Sequence, residues 1–194
     1  MKFLPMLFSK PDFLKSPLEH FRGNIEQIFQ SKVQIFREKS VKKGLPFVYT
    51  LVLQEQQEPL LTSISYGASF AIAAEQKNKV ELLLQMESND MAWAHVIGYL
   101  ANHLRGDCPF HEGEIIRFGQ KISQESKLNS FVVCKPDMEE LQNSIKDSRK
   151  SSSVHLMQLL PIYEEEVLSI AKYGLNGFID RLKDKKTDPK RKPI

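Results

Sequence analysis

Three consecutive glutamates, Glu164 to Glu166, follow the apolar run LLPIY and form the most concentrated group of carboxylates in the chain. Neighbouring carboxylates perform acid–base catalysis when their environments separate their pKa values. Successive residues of a helix point about 100° apart, so three in a row converge poorly on one substrate atom. Free amide groups and the macrodipole at a helix N-terminus favour negative charge. The pattern therefore predicts the start of a helix. Those of Glu164, Glu165 and Glu166 that face outward are candidates for binding a basic protein partner.

A second candidate is the segment CPFHE, which places the thiol of Cys108, the imidazole of His111 and the carboxylate of Glu112 close together in sequence. A nucleophilic cysteine needs its base nearby in space and a third group that orients the base. Proximity in one loop is weak support for that arrangement. The segment predicts a packed or solvated loop, with a small hydrolase-like enzyme that uses Cys108 and His111 as an alternative.

His95, Tyr99 and His103 are spaced four residues apart and would share one ridge of a helix. The two histidines would lie about 12 Å apart along the helix axis, too far to share one metal ion without further ligands. Glycine-rich phosphate loops and dinucleotide-binding motifs do not occur in the sequence. We therefore expect a non-enzymatic protein without a metal or a cofactor.

The elements that must position these residues follow from capping and periodicity. Ser16-Pro17-Leu18-Glu19 is a capping box that begins a helix reaching about Gln30. The helix that carries His95, Tyr99 and His103 also has an apolar face. A short helix covers 137–145, with Ile145 facing the core. After the last strand, helices 163–173 and 175–183 are separated by Gly174. Runs rich in β-branched and apolar residues predict strands at 33–37, 47–53, 60–66, 80–86, 131–134 and 154–160.

Helices that bracket and interrupt a strand-rich middle indicate the α+β class, with a mixed, mainly antiparallel sheet and helices packed on it. We expect one domain at 1–182. The segment 183–194 carries six Lys or Arg against two Asp, which predicts a basic disordered tail. An alternative function is an adaptor whose tail contacts nucleic acid or a membrane. The rest of the chain is near neutral, which argues against nucleic-acid binding by the folded body.

The bulk composition fits one sizeable domain, since the chain has 194 residues of which 41% are hydrophobic. The two cysteines are far apart in sequence and form no CxxC motif, as is usual in a reducing compartment. The apolar N-terminal run is short and interrupted by Pro5, unlike a signal peptide. We expect a cytoplasmic protein that does not enter the membrane.

Several segments, in their order and spacing, resemble the Suppressor of fused domain family. The most specific is LLPIYEEEV at 159–167, with Lys172-Tyr173-Gly174 after it. The others are Ser65-Tyr66-Gly67, ELLLQM at 81–86, the helix from Trp93 to Ala101, Phe110 to Ile116, and Leu128 to Val133.

The resemblance implies an α+β domain that binds proteins. In animals the related protein has two lobes and holds a transcription factor in the cytoplasm, taking a peptide as an added strand. This chain has the length of the lobe that bacterial members share, and those members resemble immunity proteins of polymorphic toxin systems. The implied function is neutralisation of a cognate toxin by binding it. No partner-binding motif of the animal protein can be placed on this sequence.

Overall fold

The computed structural model describes residues 11–54, 59–142, 145–146 and 153–194. The apolar N-terminal run lies mostly outside them. Among these residues, eight strands form one sheet in the order β1-β2-β3-β4-β8-β6-β5, and β7 pairs with β8 off this path. The strands are β1 (Gln34–Glu38), β2 (Val48–Gln54), β3 (Leu60–Tyr66), β4 (Lys79–Glu87), β5 (Ile115–Arg117), β6 (Ser130–Cys134), β7 (Ile145–Lys146) and β8 (Ser153–Ile162). The helices are α1 (Pro17–Phe29), α2 (Ala92–Leu104), α3 (Glu139–Gln142) and α4 (Val167–Leu182).

The sheet is mixed and mainly antiparallel, because among the described strands only β4 and β8 pair in parallel. This confirms the predicted α+β class. Strand β8 lies in the middle of the sheet and is buried on both faces from Gln158 to Ile162. A strand covered on both faces needs a nearly continuous apolar run, which explains the sequence LLPI.

Alternate residues of each strand point to opposite faces, and the core divides accordingly. Met157 and Leu159 of β8 pack in the cluster that contains Trp93 and Ile97 of α2. Leu160 and Ile162 face the other way and pack against Phe178 of α4. On that same second face α1 covers β2 and β3. Helix α2 therefore covers one face of the sheet, and α1 and α4 share the other.

The predicted helix signals are confirmed at both ends of the chain. Ser16 and Glu19 form the capping box of α1, with Ser16 Oγ accepting a hydrogen bond from the Glu19 amide. Gly174 interrupts α4 with φ 72° and ψ 165°, a conformation that favours glycine. The chain thus turns between two helical stretches at the predicted residue.

The structure differs from the sequence predictions at two elements. The 137–145 segment is helical only at Glu139–Gln142, and Ile145 belongs to strand β7 instead of the inward face of a helix. Strand β5 lies where the sequence predicted no strand. Among the described residues, no helix is long and apolar enough to span a lipid bilayer.

Gly98 lets α2 approach the sheet closely. A Cβ atom at this position would overlap the Thr50 hydroxyl and lie 2.5 Å from a Glu38 carboxylate oxygen. Thr50 is buried and stiff about χ1, so it accommodates the added atom poorly. We expect Gly98→Ala to lower the free energy of unfolding by about 1–2 kcal/mol despite the higher helix propensity of alanine.

The matched control is Gly23→Ala in α1, where an added Cβ meets no atom within 4 Å. That variant should gain about 0.5–1 kcal/mol from helix propensity. Urea unfolding followed by fluorescence of the single tryptophan, the buried Trp93, measures both. Equal stabilisation by Gly98→Ala and Gly23→Ala would show that α2 does not need to approach the sheet closely at Gly98.

Candidate functional site

The three glutamates form a short turn at the end of β8. Glu164–Glu166 is a 3-10 helix that leads directly into α4, so the predicted helix start is confirmed. Glu164 and Glu165 are exposed, whereas Glu166 is 1% exposed. The three side chains therefore differ in role, and only Glu164 and Glu165 face outward as a partner site requires.

Glu166 is held in a buried ion pair with Arg191. The Arg191 Nη1 and Nη2 atoms lie 2.6 and 2.7 Å from the Oε1 and Oε2 atoms of Glu166. The backbone amides of Tyr163 and Ile194 also donate to this carboxylate, at 2.9 and 3.1 Å. Both charged side chains are fully buried, and four donors satisfy the carboxylate. Glu166 thus serves the architecture of the turn.

The C-terminal segment is a folded strap, which corrects the expectation of a disordered tail at 183–194. After a 3-10 helix at Lys183–Lys186, the carbonyl of Thr187 accepts a hydrogen bond from the Glu87 amide at the end of β4. Lys186 pairs with Asp137 at 3.1 Å. Buried Arg191 then fixes the strap to β8, because its Nη2 also donates to the Pro161 carbonyl. The prediction was wrong because it rested on positive charge alone, whereas one of these cations, Arg191, has a buried partner in Glu166.

Tyr163 completes this junction between the last strand, the turn and the strap. Its hydroxyl donates to the Arg191 carbonyl at 2.5 Å. Burial raises the pKa of the Tyr163 phenol, while the nearby Arg191 guanidinium opposes that shift. The phenol is therefore neutral and acts as a hydrogen-bond donor.

On the outer side, the turn lies beside strand β5. Glu164 pairs with Arg117 of β5 at 3.5 Å, and its backbone amide donates to the Asn129 side chain at 2.9 Å. Glu165 makes no ion pair within the described residues, and Leu168 in the first turn of α4 is 77% exposed. Strand β5 ends the strand order, so it pairs with β6 on one side only among the described strands. We call β5, Glu164, Glu165 and Leu168 the acidic edge surface.

The Cys108 loop does not have the arrangement of a cysteine nucleophile. Burial raises the pKa of the half-buried Cys108 thiol, a hydrogen bond with the Phe110 amide opposes that shift, and the Glu114 carboxylate adds to it. A nucleophilic cysteine needs the opposite shift. His111 and Glu112 are exposed, and Glu112 pairs with Lys135 at 3.3 Å. The sequence neighbours are therefore not brought together as a catalytic group.

The histidine ridge of α2 is an aromatic surface. His103 stacks on Tyr99 with ring centroids 3.9 Å apart, and its Nδ1 lies 2.8 Å from the Tyr99 carbonyl oxygen. His95 packs edge-on against Phe36 of β1. In the part of the chain that the structure describes, no three His, Cys, Asp or Glu residues are placed to hold a metal ion.

A family model described as Suppressor of fused protein (SUFU) matches residues 45–192, well over half of the chain. The chain belongs to the Suppressor of fused family. The match covers the acidic edge surface and most of the strap, so these features lie within the family domain. No curated protein matches.

Solved structures of Suppressor of fused proteins share the fold. A SUFU homologue from Neisseria gonorrhoeae superposes with a TM-score of 0.65 at 14% identity, covering 90% of this chain and 94% of the other. A structure of the Sufu-Fu complex gives a TM-score of 0.62 at 13% identity over 92% of each chain. Drosophila Suppressor of Fused gives 0.60 at 13% identity, and the match spans 91% of this chain and 50% of that one. At these identities the likeness shows the fold alone.

Sequence reasoning missed Arg191 and Arg117, which contact the predicted glutamates. Arg191 lies 25 positions from Glu166, and nothing in its local sequence distinguishes it from its exposed basic neighbours. One signal existed for Glu166, because a glutamate at the third position of a helical turn commonly reaches back to the turn's first amide.

Proposed function

We propose that this Suppressor of fused domain is a non-enzymatic cytoplasmic binding protein, and that it acts as an immunity protein by occluding a cognate toxin. The observation that carries the proposal is the acidic edge surface, where an edge strand lies beside two exposed carboxylates. The structure of the Sufu-Fu complex supports it by showing that a protein with this fold occurs in a complex.

The edge of β5 offers the partner backbone hydrogen bonds. An extended segment that adds to a sheet edge gains affinity from main-chain pairing and specificity from side chains near that edge. The Glu164–Arg117 contact places the acidic turn within reach of a strand added there. Glu165 is exposed without a cation from the described residues, so a basic side chain of the partner would complement it.

Co-expression with the product of the neighbouring gene tests the proposed function. We expect the two proteins to purify as a stable complex, and cells that express the neighbouring protein alone to stop growing until this chain is supplied. The absence of both a complex and a rescue would contradict the immunity function.

Reversing the charge of the acidic turn tests the proposed surface. Glu164→Lys with Glu165→Lys should weaken the complex roughly five- to tenfold, mainly through slower association, because two exposed charges now repel a basic partner. The fold should survive, since both side chains are exposed. Biolayer interferometry at low and high salt measures the change, and thermal unfolding checks the fold.

The matched control reverses two exposed acidic residues elsewhere, Glu75→Lys with Glu140→Lys. This control variant changes the net charge equally but leaves the acidic edge surface intact. Equal losses of affinity in both double variants would assign the effect to net charge. Unchanged affinity in the first variant would leave Glu164 and Glu165 a purely architectural role.

A further inference from the structure

A half-open cavity of about 390 Å³ lies at the N-terminal ends of β4 and β8, whereas Glu164 and Glu165 follow the C-terminal end of β8. Residues 76–78 before β4, 109–112 after α2 and 135–136 after β6 form its walls. The cavity volume lies in the range of pockets that bind small molecules, about 300–1,000 Å³. The surface that we propose for the toxin does not include these segments.

The floor of the cavity is apolar. Val80 and Phe110 line it and belong to the buried core cluster beneath α2, and Met157 packs against that cluster. Phe110 has a φ of 49°, a left-handed conformation that is costly for an aromatic residue. In this conformation Phe110 is buried while the next residue, His111, is exposed at the rim. The core thus opens to solvent through a polar rim.

Among the described residues, the rim carries more cationic and hydrogen-bond-donating groups than carboxylates. The described groups that line it are one carboxylate, Glu112, which already pairs with Lys135, and the side chains of Lys77, Lys135, His111 and His155. Within the described residues, the side chains of Lys77, His111 and His155 form no ion pair or hydrogen bond, although the His111 carbonyl accepts a hydrogen bond from the Glu114 amide. An apolar floor with free ammonium and imidazole groups above it is complementary to a molecule with an apolar body and a negative charge.

We propose that this cavity binds a small organic acid, with the apolar body against Val80, Phe110 and Met157 and the carboxylate between Lys77 and the two imidazoles. The inference does not depend on the proposed toxin binding, since it rests on a different part of the surface. A ligand there would also contact three segments that are far apart in the sequence, and so would stabilise the folded protein by mass action.

Titration of the ¹⁵N-labelled protein with 3-phenylpropionate, followed by amide NMR spectra, tests the proposal directly. We expect saturable shifts in the three wall segments with a Kd of about 1 mM, as befits a ligand of this size. The neutral amide, 3-phenylpropionamide, has the same body and should bind at least fivefold more weakly. Equal binding of acid and amide, shifts confined to other regions, or no saturation by 10 mM would overturn the proposal.

Three variants assign the rim residues. Lys77→Met with His111→Ala removes two exposed donors and should weaken binding of the acid at least fivefold without affecting the amide. Glu112→Gln removes the competing carboxylate and frees Lys135, so binding of the acid should tighten about threefold. Lys127→Met, an exposed lysine outside the cavity, is the matched control and should leave the affinity unchanged. Unaltered affinity in both rim variants would overturn the assignment of the site.

Discussion

Arg191→Met will lower the free energy of unfolding by about 3–5 kcal/mol, as expected when one member of a buried ion pair is removed. The substitution leaves the Glu166 carboxylate fully buried with its two strongest donors lost. It also removes the hydrogen bond to the Pro161 carbonyl, through which the strap is fixed to β8. Since domains of this size have total stabilities of about 5–15 kcal/mol, the loss is severe. Urea unfolding followed by Trp93 fluorescence measures it.

Lys192→Met is the matched control, because Lys192 is the exposed neighbour of Arg191 and the same charge is removed. Its stability should stay within about 0.5 kcal/mol of the wild type. The double variant Glu166→Gln with Arg191→Met should recover part of the loss, since a neutral amide is less costly to bury than an unpaired carboxylate. If Arg191→Met and Lys192→Met unfold alike, the strap does not contribute to stability.

Elements with a strong local pattern were predictable from the sequence. The run LLTSISY predicted β3 with its observed bounds, and the capping box placed the start of α1 correctly. Strand β5 was not predictable in this way, since it has three residues and exists through its pairing with β6. Ile145 was placed on a helix because its spacing from Leu141 is helical, but pairing with Val154 of β8 determines its conformation. Non-local pairing overrides local propensity in both cases.

The position of the glutamate turn was predictable from the sequence, but the different roles of its three side chains were not. Consecutive acidic residues after an apolar strand correctly indicated a helical turn with exposed carboxylates. The burial of Glu166 depends on Arg191, which the fold brings back across the sheet. The tail failed as a prediction for the same reason, because a run of lysines does not reveal which cation finds a buried partner.

A second buried carboxylate, Glu81, explains why two of the segments that carry the family resemblance occur together. Its Oε1 accepts from the amides of Gly67 and Ser69, at 2.8 and 3.2 Å, and from the Ser69 hydroxyl at 2.6 Å. Its Oε2 accepts from the Ala68 amide at 3.1 Å and the Ser65 hydroxyl at 2.5 Å. Strand β4 thereby fixes the turn that follows β3.

The buried Arg105 guanidinium is coupled to the same turn. Its Nη1 donates to the Gly67 carbonyl at 3.0 Å, and its Nη2 donates to the Pro46 carbonyl at 2.8 Å. Burial lowers the pKa of Arg105, and the Glu81 carboxylate opposes that shift. Removing the charge of Glu81 therefore also leaves a buried cation without its counter-charge.

Glu81→Gln will lower the free energy of unfolding by about 3–5 kcal/mol, although glutamine and glutamate have nearly the same shape. Each carboxylate oxygen accepts from at least one backbone amide, so either orientation of the glutamine places its NH₂ group against a donor that cannot rotate away. Glu87→Gln, at the exposed end of the same strand, is the control and should cost less than about 0.5 kcal/mol. In a double-mutant cycle with Arg105→Met, the double variant should lose less stability than the sum of the two single losses, because both substitutions disrupt the same turn. A Glu81→Gln protein that unfolds within 1 kcal/mol of the wild type would show that hydroxyl and backbone donors, and not the charge, hold the turn in place.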